Sequence, residues 1–386
     1  MNKIYFDHSA TTPVDPRVVD KMMPCFSDIF GNSSSIHSYG REAKIALSEA
    51  REAVAAALNA KPAEIIFTSG GTEADNLAIK GVAARENKRR HIITSRVEHH
   101  AVLRTCQHLE KQGFRVTYLP VDEFGMVHPD QVRNAITEDT FLISVMHANN
   151  EVGTINPIAE IGAIAREHKI YFHTDAVQSF GKLPLDVQTM NIDLLSVSGH
   201  KIYGPKGVGA LYMRRGVLLE KLAHGGHHEY NHRAGTENIP GIVGFGEAVR
   251  LSQNSMPDEM QKLEQLRDEL YLQITTHIPD VRLNGHPRHR LPGHLNLTFD
   301  GIEGEALLIS LDMKGIAVSS GSACTAGTPE PSHVLLAMGI NAVHAQSSLR
   351  FTLGSSNSNE DINYTMEVLP KIVETLRSLS PLYRKK

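Results

Sequence analysis

Cysteine is scarce in this 386-residue chain: three occur, Cys25, Cys106 and Cys324, and no two stand in a CxxC spacing. That excludes a disulfide framework, argues against a structural zinc site and points to a reducing compartment. A surplus of one charge sign is missing too. Lys and Arg number 39 against 43 Asp and Glu, a formal net charge of −4, so the totals give no electrostatic reason to bind nucleic acid. No apolar run approaches the ~20 residues of a membrane span. The opening MNKIYFDHSATTP lacks the apolar core of a signal peptide. Low-complexity tracts and evident repeats are also absent. These absences predict a soluble, cytoplasmic protein without membrane or direct nucleic-acid contact. What remains is an ordinary 41% hydrophobic content over a length that suits about two to three domains.

Between residues 41 and 58, Ala43, Leu47, Ala50, Val54, Ala57 and Leu58 recur at three- and four-residue steps, the spacing of one helical face. Short apolar runs then alternate with helical patterns: EIIFTS (64–69), HIITS (91–95), FLISVMH (141–147) and KIYFHTD (169–175). The alternation predicts an α/β fold with a mostly parallel central sheet and helices on both faces. A ligand site belongs at the carboxyl ends of such strands, where SGGTEADN, RVEHH, HANNEVG, HTDAVQ and SGHK stand. After about residue 252 the texture changes to a long helix, then strand-like HLNLTF (294–299), IAVSS (316–320) and SLRFTL (348–353). A smaller C-terminal α/β domain is expected there. Its last helix starts near Asn359, read as a cap, with Ile362, Met366, Leu369, Ile372, Val373, Leu376 and Leu379 on one face. The division expected is a large domain over 15–255 and a small one over 1–14 and 256–386.

Three constellations carry chemistry. TSGGTEADN (68–76) follows a strand and opens a helix, so Gly70 and Gly71 let backbone approach a ligand while free helix N–H groups and the Thr72 hydroxyl face it. That suits a phosphate, although the fragment alone equally fits an ordinary Gly-rich turn capped by Thr72. SVSGHKIYGPKGVG (196–209) sets Lys201 just after an apolar strand, beside Ser198 and His200. Shielded from water, its amine is available to form a Schiff base; in isolation it reads as a surface lysine. HTDAVQSFGK (173–182) adds Asp175, which fits either a helix cap or a carboxylate facing a protonated pyridine nitrogen. The order of phosphate turn, acid and lysine is more specific than any one of them.

At this point the chain resembles the cysteine desulfurases of the NifS/IscS type, within the aminotransferase-like, fold type I pyridoxal 5'-phosphate enzymes. The resemblance runs through YFDHSATTPVDPRV (5–18), GNSSSIHSYGREA (31–43), FTSGGTEADNLAIKG (67–81), EHHAV (98–102), HANNEVGTINP (147–157), RAGTENIPGIVG (233–244), SSGSACT (319–325) and SLRFTLG (348–354), besides the segments above. It implies that Lys201 carries the cofactor, Asp175 pairs with its ring nitrogen, and Gln178 and Asn150 reach its phenolic oxygen side. His99 would stack on the ring, and it or another nearby group would help deprotonate Cys324. Ser198, His200, Thr72 and the Gly71 backbone would hold the phosphate, with Thr236 contributed by the partner subunit of a homodimer. Arg350, with Asn32 and Asn150, would bind the substrate, L-cysteine. The implied reaction releases L-alanine and leaves the sulfur as a persulfide on Cys324. From there it would pass to an acceptor protein, an iron-sulfur scaffold or a tRNA-thiolating enzyme.

Cys324 sits among small residues in SSGSACTAGTPEPSH (319–333), as in the longer-loop group of that family, a composition suited to a mobile loop. Cys25 and Cys106 read as packing thiols. The main departure is HGGHHEYNHRAGT (224–236), where the family pattern is close to HGGGQERGLRSGT. His224, His227, His228 and His232 could form a metal cluster, but an altered loop beside the site is the better-supported reading, and no metal is expected. His8 and Ser33 also depart from the commonest family residues. Two alternatives stay open on sequence: an aminotransferase or other lyase with the same cofactor, and a non-catalytic sulfur-relay protein.

Overall fold

The computed structural model describes residues 3–320, 330–381 and 383, so Cys324 lies outside the described residues. The apolar runs form a seven-stranded sheet in the order Ile65–Thr68, Gly209–Met213, Leu194–Ser198, Tyr171–Asp175, Thr140–Ser144, His91–Ser95, Arg115–Leu119. Pairing is parallel from Leu194–Ser198 through to Arg115–Leu119, while Gly209–Met213 runs antiparallel to both its neighbours. The runs show little alternation because both faces are covered. One face packs on a core that includes Leu47, Val54 and Phe245. The other packs on Leu77, Val82, Val102 and Cys106, from the helices Gly71–Arg85 and His100–Glu110.

A second, antiparallel sheet has the order Ser319–Ser320, Ser348–Thr352, His294–Phe299, Val281–Asn284. Its core contains Leu297, Phe299, Leu349 and Phe351, together with Ile4 and Phe6 from the chain's beginning. The IAVSS segment divides in two: Ile316–Ala317 pairs in parallel with Ile4–Tyr5, and Ser319–Ser320 joins the antiparallel sheet. Residues 3–6 are thereby held against the C-terminal half, which brings the following residues, Asp7 to Thr12, to the edge of the large sheet.

The helix Ile239–His277 links the two cores. Its first half buries Phe245 and Val249 in the large core, its second half Leu263, Leu266 and Leu270 in the small one, and Pro257 lies between. The sequence reading starts this helix near 252, thirteen residues late, because Gly241, Gly244 and Gly246 weaken the helical signal. Those glycines serve packing: a Cβ on Gly246 would stand 2.7 Å from Ala50 Cα of the helix Ser38–Ala57. At the chain's end the helix Asn359–Leu379 is capped by Ser358, not Asn359, with the Ser358 N–H donating to Asp361 in a capping box. Among the described residues no helix is long and apolar enough to cross a membrane.

Candidate active site at the carboxyl ends of the central strands

The strand Leu194–Ser198 runs straight into the 3₁₀ turn Gly199–Lys201. That turn aims the Lys201 side chain across the sheet's edge, where Nζ donates to the carbonyls of Ser9 and of Ala10, the latter at 2.8 Å. Burial pulls the Lys201 amine down to about 7; the Lys182 and Arg350 cations add to this, and Asp175 and Asp7 oppose it. A substantial share is therefore uncharged at neutral pH. His200 is fixed beside it, with Nδ1 at 3.1 Å from Thr11 Oγ1, and burial lowers its pKa to about 4.

The neighbouring strand ends on Asp175, which is 5% exposed and accepts the Val177 N–H at 2.9 Å. Burial raises its pKa, while His99, the Val177 N–H and Lys201 oppose that rise. Gln178, one turn on, donates from Nε2 to the Ser9 carbonyl at 3.0 Å, and its Oε1 is buried without a partner. His99 caps the helix His100–Glu110, accepting the Ala101 N–H on Nδ1 at 3.1 Å, and is itself exposed. Donor atoms of Asp75, His99 and Asp175 lie within 4.8 Å of one another.

Across the sheet the helix Gly71–Arg85 begins at Gly70, whose φ of 149° no side chain tolerates well. A Cβ on Gly71 would stand 2.6 Å from Val177 Cγ2 and 3.9 Å from Ser198 Cβ, and one on Gly70 would stand 3.6 Å from Ser198 Oγ. The first turn of this helix therefore stands close against Val177 and Ser198, and its leading N–H groups with the Ser198 hydroxyl are donors of the kind that suit an anion. A buried acid, an orphaned amide oxygen, an amine near neutrality and the donors of an anion site, all at neighbouring strand ends, fit pyridoxal phosphate.

Arg350, on the strand Ser348–Thr352, donates from Nη1 to the Asn150 carbonyl at 2.9 Å and from Nη2 to Asp7 Oδ1 at 2.8 Å; its Nε is buried and unpartnered. Asn32 and Thr236 stand apart from this cluster. Asn32 is exposed and bonds within its own turn, accepting the Ser34 N–H on Oδ1 at 2.9 Å. Thr236 is exposed in the loop that Arg233 ties to Glu73 at 2.9 Å. In that loop Glu229, Tyr230 and Asn231 all have positive φ (45°, 52° and 68°). The buried, bidentate pair of Glu229 with Arg51, at 2.7 and 2.8 Å, holds it in place. The four loop histidines do not gather: among the described residues the one group of three such donors is Asp75, His99 and Asp175.

The described residues on either side of 321–329 are held by Arg350 and by neighbours of Asn150 and His99 in the chain. Ser319 pairs with Arg350, while Ser332 Oγ donates to Glu151 and His333 Nε2 lies 3.0 Å from the Glu98 carbonyl. Four residues the sequence reading gave no role also belong here: Asp7, Asp75, Lys182 and Glu151. Burial lowers the Lys182 amine to about 8, with Glu259 opposing, and raises the Glu151 carboxyl to about 7, with Ser332 and Arg350 opposing. Lys182 stands within a segment already singled out, seven residues past Asp175, so a second cation there was visible in the sequence though its nearness to Lys201 was not.

The aminotransferase class-V family model matches residues 4–365. A cysteine desulfurase IscS from Clostridium botulinum is 55% identical over 388 residues, covering 99% of this chain and 98% of that one. Among solved structures, a NifS-like protein superposes with a TM-score of 0.92 at 38% identity, over 97% of this chain and 100% of that one. SspA in complex with cysteine gives a TM-score of 0.83 at 42% identity, over 91% and 99%. Fold, site chemistry and full-length likeness agree: the chain belongs to the class-V aminotransferase family, and within it to the pyridoxal phosphate-dependent cysteine desulfurases.

Proposed function

We propose that this enzyme removes sulfur from L-cysteine, releases L-alanine and holds the sulfur as a persulfide on Cys324 for delivery to an acceptor protein. The observation that carries the reading is the meeting of a near-neutral Lys201 amine and a buried Asp175 at neighbouring strand ends, with the partly unpartnered Arg350 guanidinium paired to Ser319 and His333 set on the Glu98 carbonyl on either side of the Cys324 segment. A solved relative titled as a complex with cysteine supports the substrate.

When bound, pyridoxal phosphate supplies an electron sink for the charge that develops next to the substrate's α-carbon. Thr72, Ser198, His200 and the Gly71 N–H would hold its phosphate, Asp175 its ring nitrogen, Gln178 and Asn150 its phenolic side, and His99 one ring face. Arg350 would grip the substrate carboxylate with its planar fork, assisted by Asn150 and Asn32. Lys201, uncharged in good part at neutral pH, accepts the α-proton and later returns a proton to the carbon framework. The Cys324 thiolate bonds to the substrate's sulfur as the carbon–sulfur bond breaks, and the bonding pair stays with the carbon fragment, which is protonated and leaves as alanine.

The rest of the reading follows the same likeness. Residues 15–255 act as the large cofactor domain, and 1–14 with 256–386 as the small one, which carries the Cys324 loop at about 319–333. The enzyme works in the cytoplasm as a homodimer, with Thr236 completing the partner's phosphate site. Its acceptor is an iron-sulfur scaffold or a tRNA-thiolating enzyme. The test is Cys324→Ala: the bound cofactor's absorbance stays, while sulfide release from cysteine falls to background. Full activity in that variant would sink the desulfurase reading in favour of another lyase or an aminotransferase.

A further inference from the structure

Asp75 takes no part in the reaction proposed above, yet it is among the most enclosed carboxyl groups beside the site. It lies in the helix Gly71–Arg85 and is 1% exposed. Its Oδ1 is shut off from solvent and has no hydrogen-bond partner. The strand Tyr171–Asp175 presents His173 to it, with Nε2 at 3.6 Å, too long for a hydrogen bond, and presents Asp175 as well. The strand Leu194–Ser198 presents Ser196, and the turn after His91–Ser95 presents Glu98 and His99.

None of these gives Asp75 a firm counter-charge. His173 is neutral: its ring nitrogens face Ser144 Oγ at 2.8 Å and Ser196 Oγ at 3.0 Å, and burial lowers its pKa to about 3. Glu98 is itself pushed up to about 8 by burial. Burial, then Asp175, push the Asp75 carboxyl well above the usual range, with the Ser196 hydroxyl opposing and Glu98 adding to the rise. Two carboxyl groups this close in a dry site cannot both ionise, so one keeps a proton. The surroundings are unequal. Asp175 receives the Val177 N–H at 2.9 Å and faces His99 and Lys201, all of which favour its charge. Asp75 has a bare buried oxygen, which is far more costly as an anion than as a neutral acid.

We infer that Asp75 is a positioning residue that carries the proton of the Asp75–Asp175 pair, so that Asp175 alone is the carboxylate facing the cofactor's ring nitrogen. The inference rests on the assignment of Asp175 made above. A neutral Asp75 is a donor beside Asp175, and an amide imitates both its shape and its neutrality. Asparagine should therefore replace it, whereas alanine should not.

The experiment uses the holoenzyme with its aspartates ¹³C-labelled at the carboxyl carbon. Infrared difference spectra of wild type against Asp75→Asn, with cofactor dissociation constants for both and for Asp75→Ala and Asp175→Ala, decide the matter. The expected result is a protonated-aspartate carbonyl band that persists between about pH 6 and pH 8 and is lost in Asp75→Asn. Cofactor affinity should stay within about threefold in Asp75→Asn and weaken about tenfold in Asp75→Ala, the scale of one lost charge-assisted hydrogen bond. No lost band, or equal weakening in Asp75→Asn and Asp75→Ala, overturns the inference while leaving Asp175 in place. Unchanged affinity in Asp175→Ala overturns the underlying assignment instead. Should Asp75→Ala fail to fold, the Asp75→Asn spectrum decides alone.

Discussion

Replacing Lys182 with methionine should move the acid limb of the enzyme's pH profile. Lys182 and Lys201 line the same cavity, and Lys182 is the largest charge effect lowering the Lys201 amine to about 7, second only to burial. A neighbouring unit charge shifts a buried amine by about one pKa unit, ~1.4 kcal/mol, and Glu259, which also faces Lys182, tempers the effect. Removing the cation lets Lys201 hold its proton to a higher pH, so less free base is present on the acid side. The assay is kcat/KM for alanine formation at pH values from about 6 to about 9. At about pH 6 the variant should be about tenfold slower than wild type, since one unit of pKa is tenfold in free base. Near pH 9 the two should agree within about twofold, because Lys182, lowered to about 8, has lost its own charge there. Lys182→Arg, which keeps the cation, should keep the wild-type limb. An unmoved limb in Lys182→Met, with the fold intact, would refute the electrostatic reasoning.

Arg350→Lys should raise KM for cysteine about tenfold with a smaller fall in kcat, because an ammonium replaces neither the fork nor both anchors, the Asn150 carbonyl and Asp7; steady-state kinetics check it, and an unchanged KM would count against the carboxylate assignment. Glu229→Gln should cost about 3–5 kcal/mol in denaturant unfolding, since it strips a buried Arg51 of its bidentate partner and weakens the acceptor of the Phe67 N–H. A loss under about 1 kcal/mol would show that this pair does not hold the altered 224–236 loop.

Much of this was legible in the sequence, for physical reasons that differ from place to place. Strands buried on both faces announce themselves as apolar runs, so FLISVMH overlaps Thr140–Ser144, while the alternating HLNLTF coincides with His294–Phe299. Lys201, Asp175, Gln178 and Gly71 stand where strands give way to turns, and parallel topology gathers such ends at one edge. The helix from Ile239 was legible only in its later half, because its glycines are chosen for contact with the helix Ser38–Ala57 at the expense of helical propensity. Asp7, and the nearness of Lys182 to Lys201, were silent because their significance lies in what they face: Arg350 stands 343 positions from Asp7. Asp75 was silent for a related reason. One polar residue on a helix looks like any other until burial leaves its oxygen without a partner. Asn32 and Thr236 are exposed, Asn32 bonding within its own turn, and the role proposed for Thr236 depends on the second subunit the family likeness implies.

The central claim is tested most directly by one measurement: incubate the purified protein with L-cysteine, quantify alanine, and locate the retained sulfur by mass spectrometry of the unreduced peptides. The account predicts alanine formation with the extra sulfur on the peptide bearing Cys324. It also predicts none on Cys25 or Cys106, both buried and with their thiol pKa values raised first of all by that burial. Sulfur retained on Cys25 or Cys106, or no alanine at all, would contradict it.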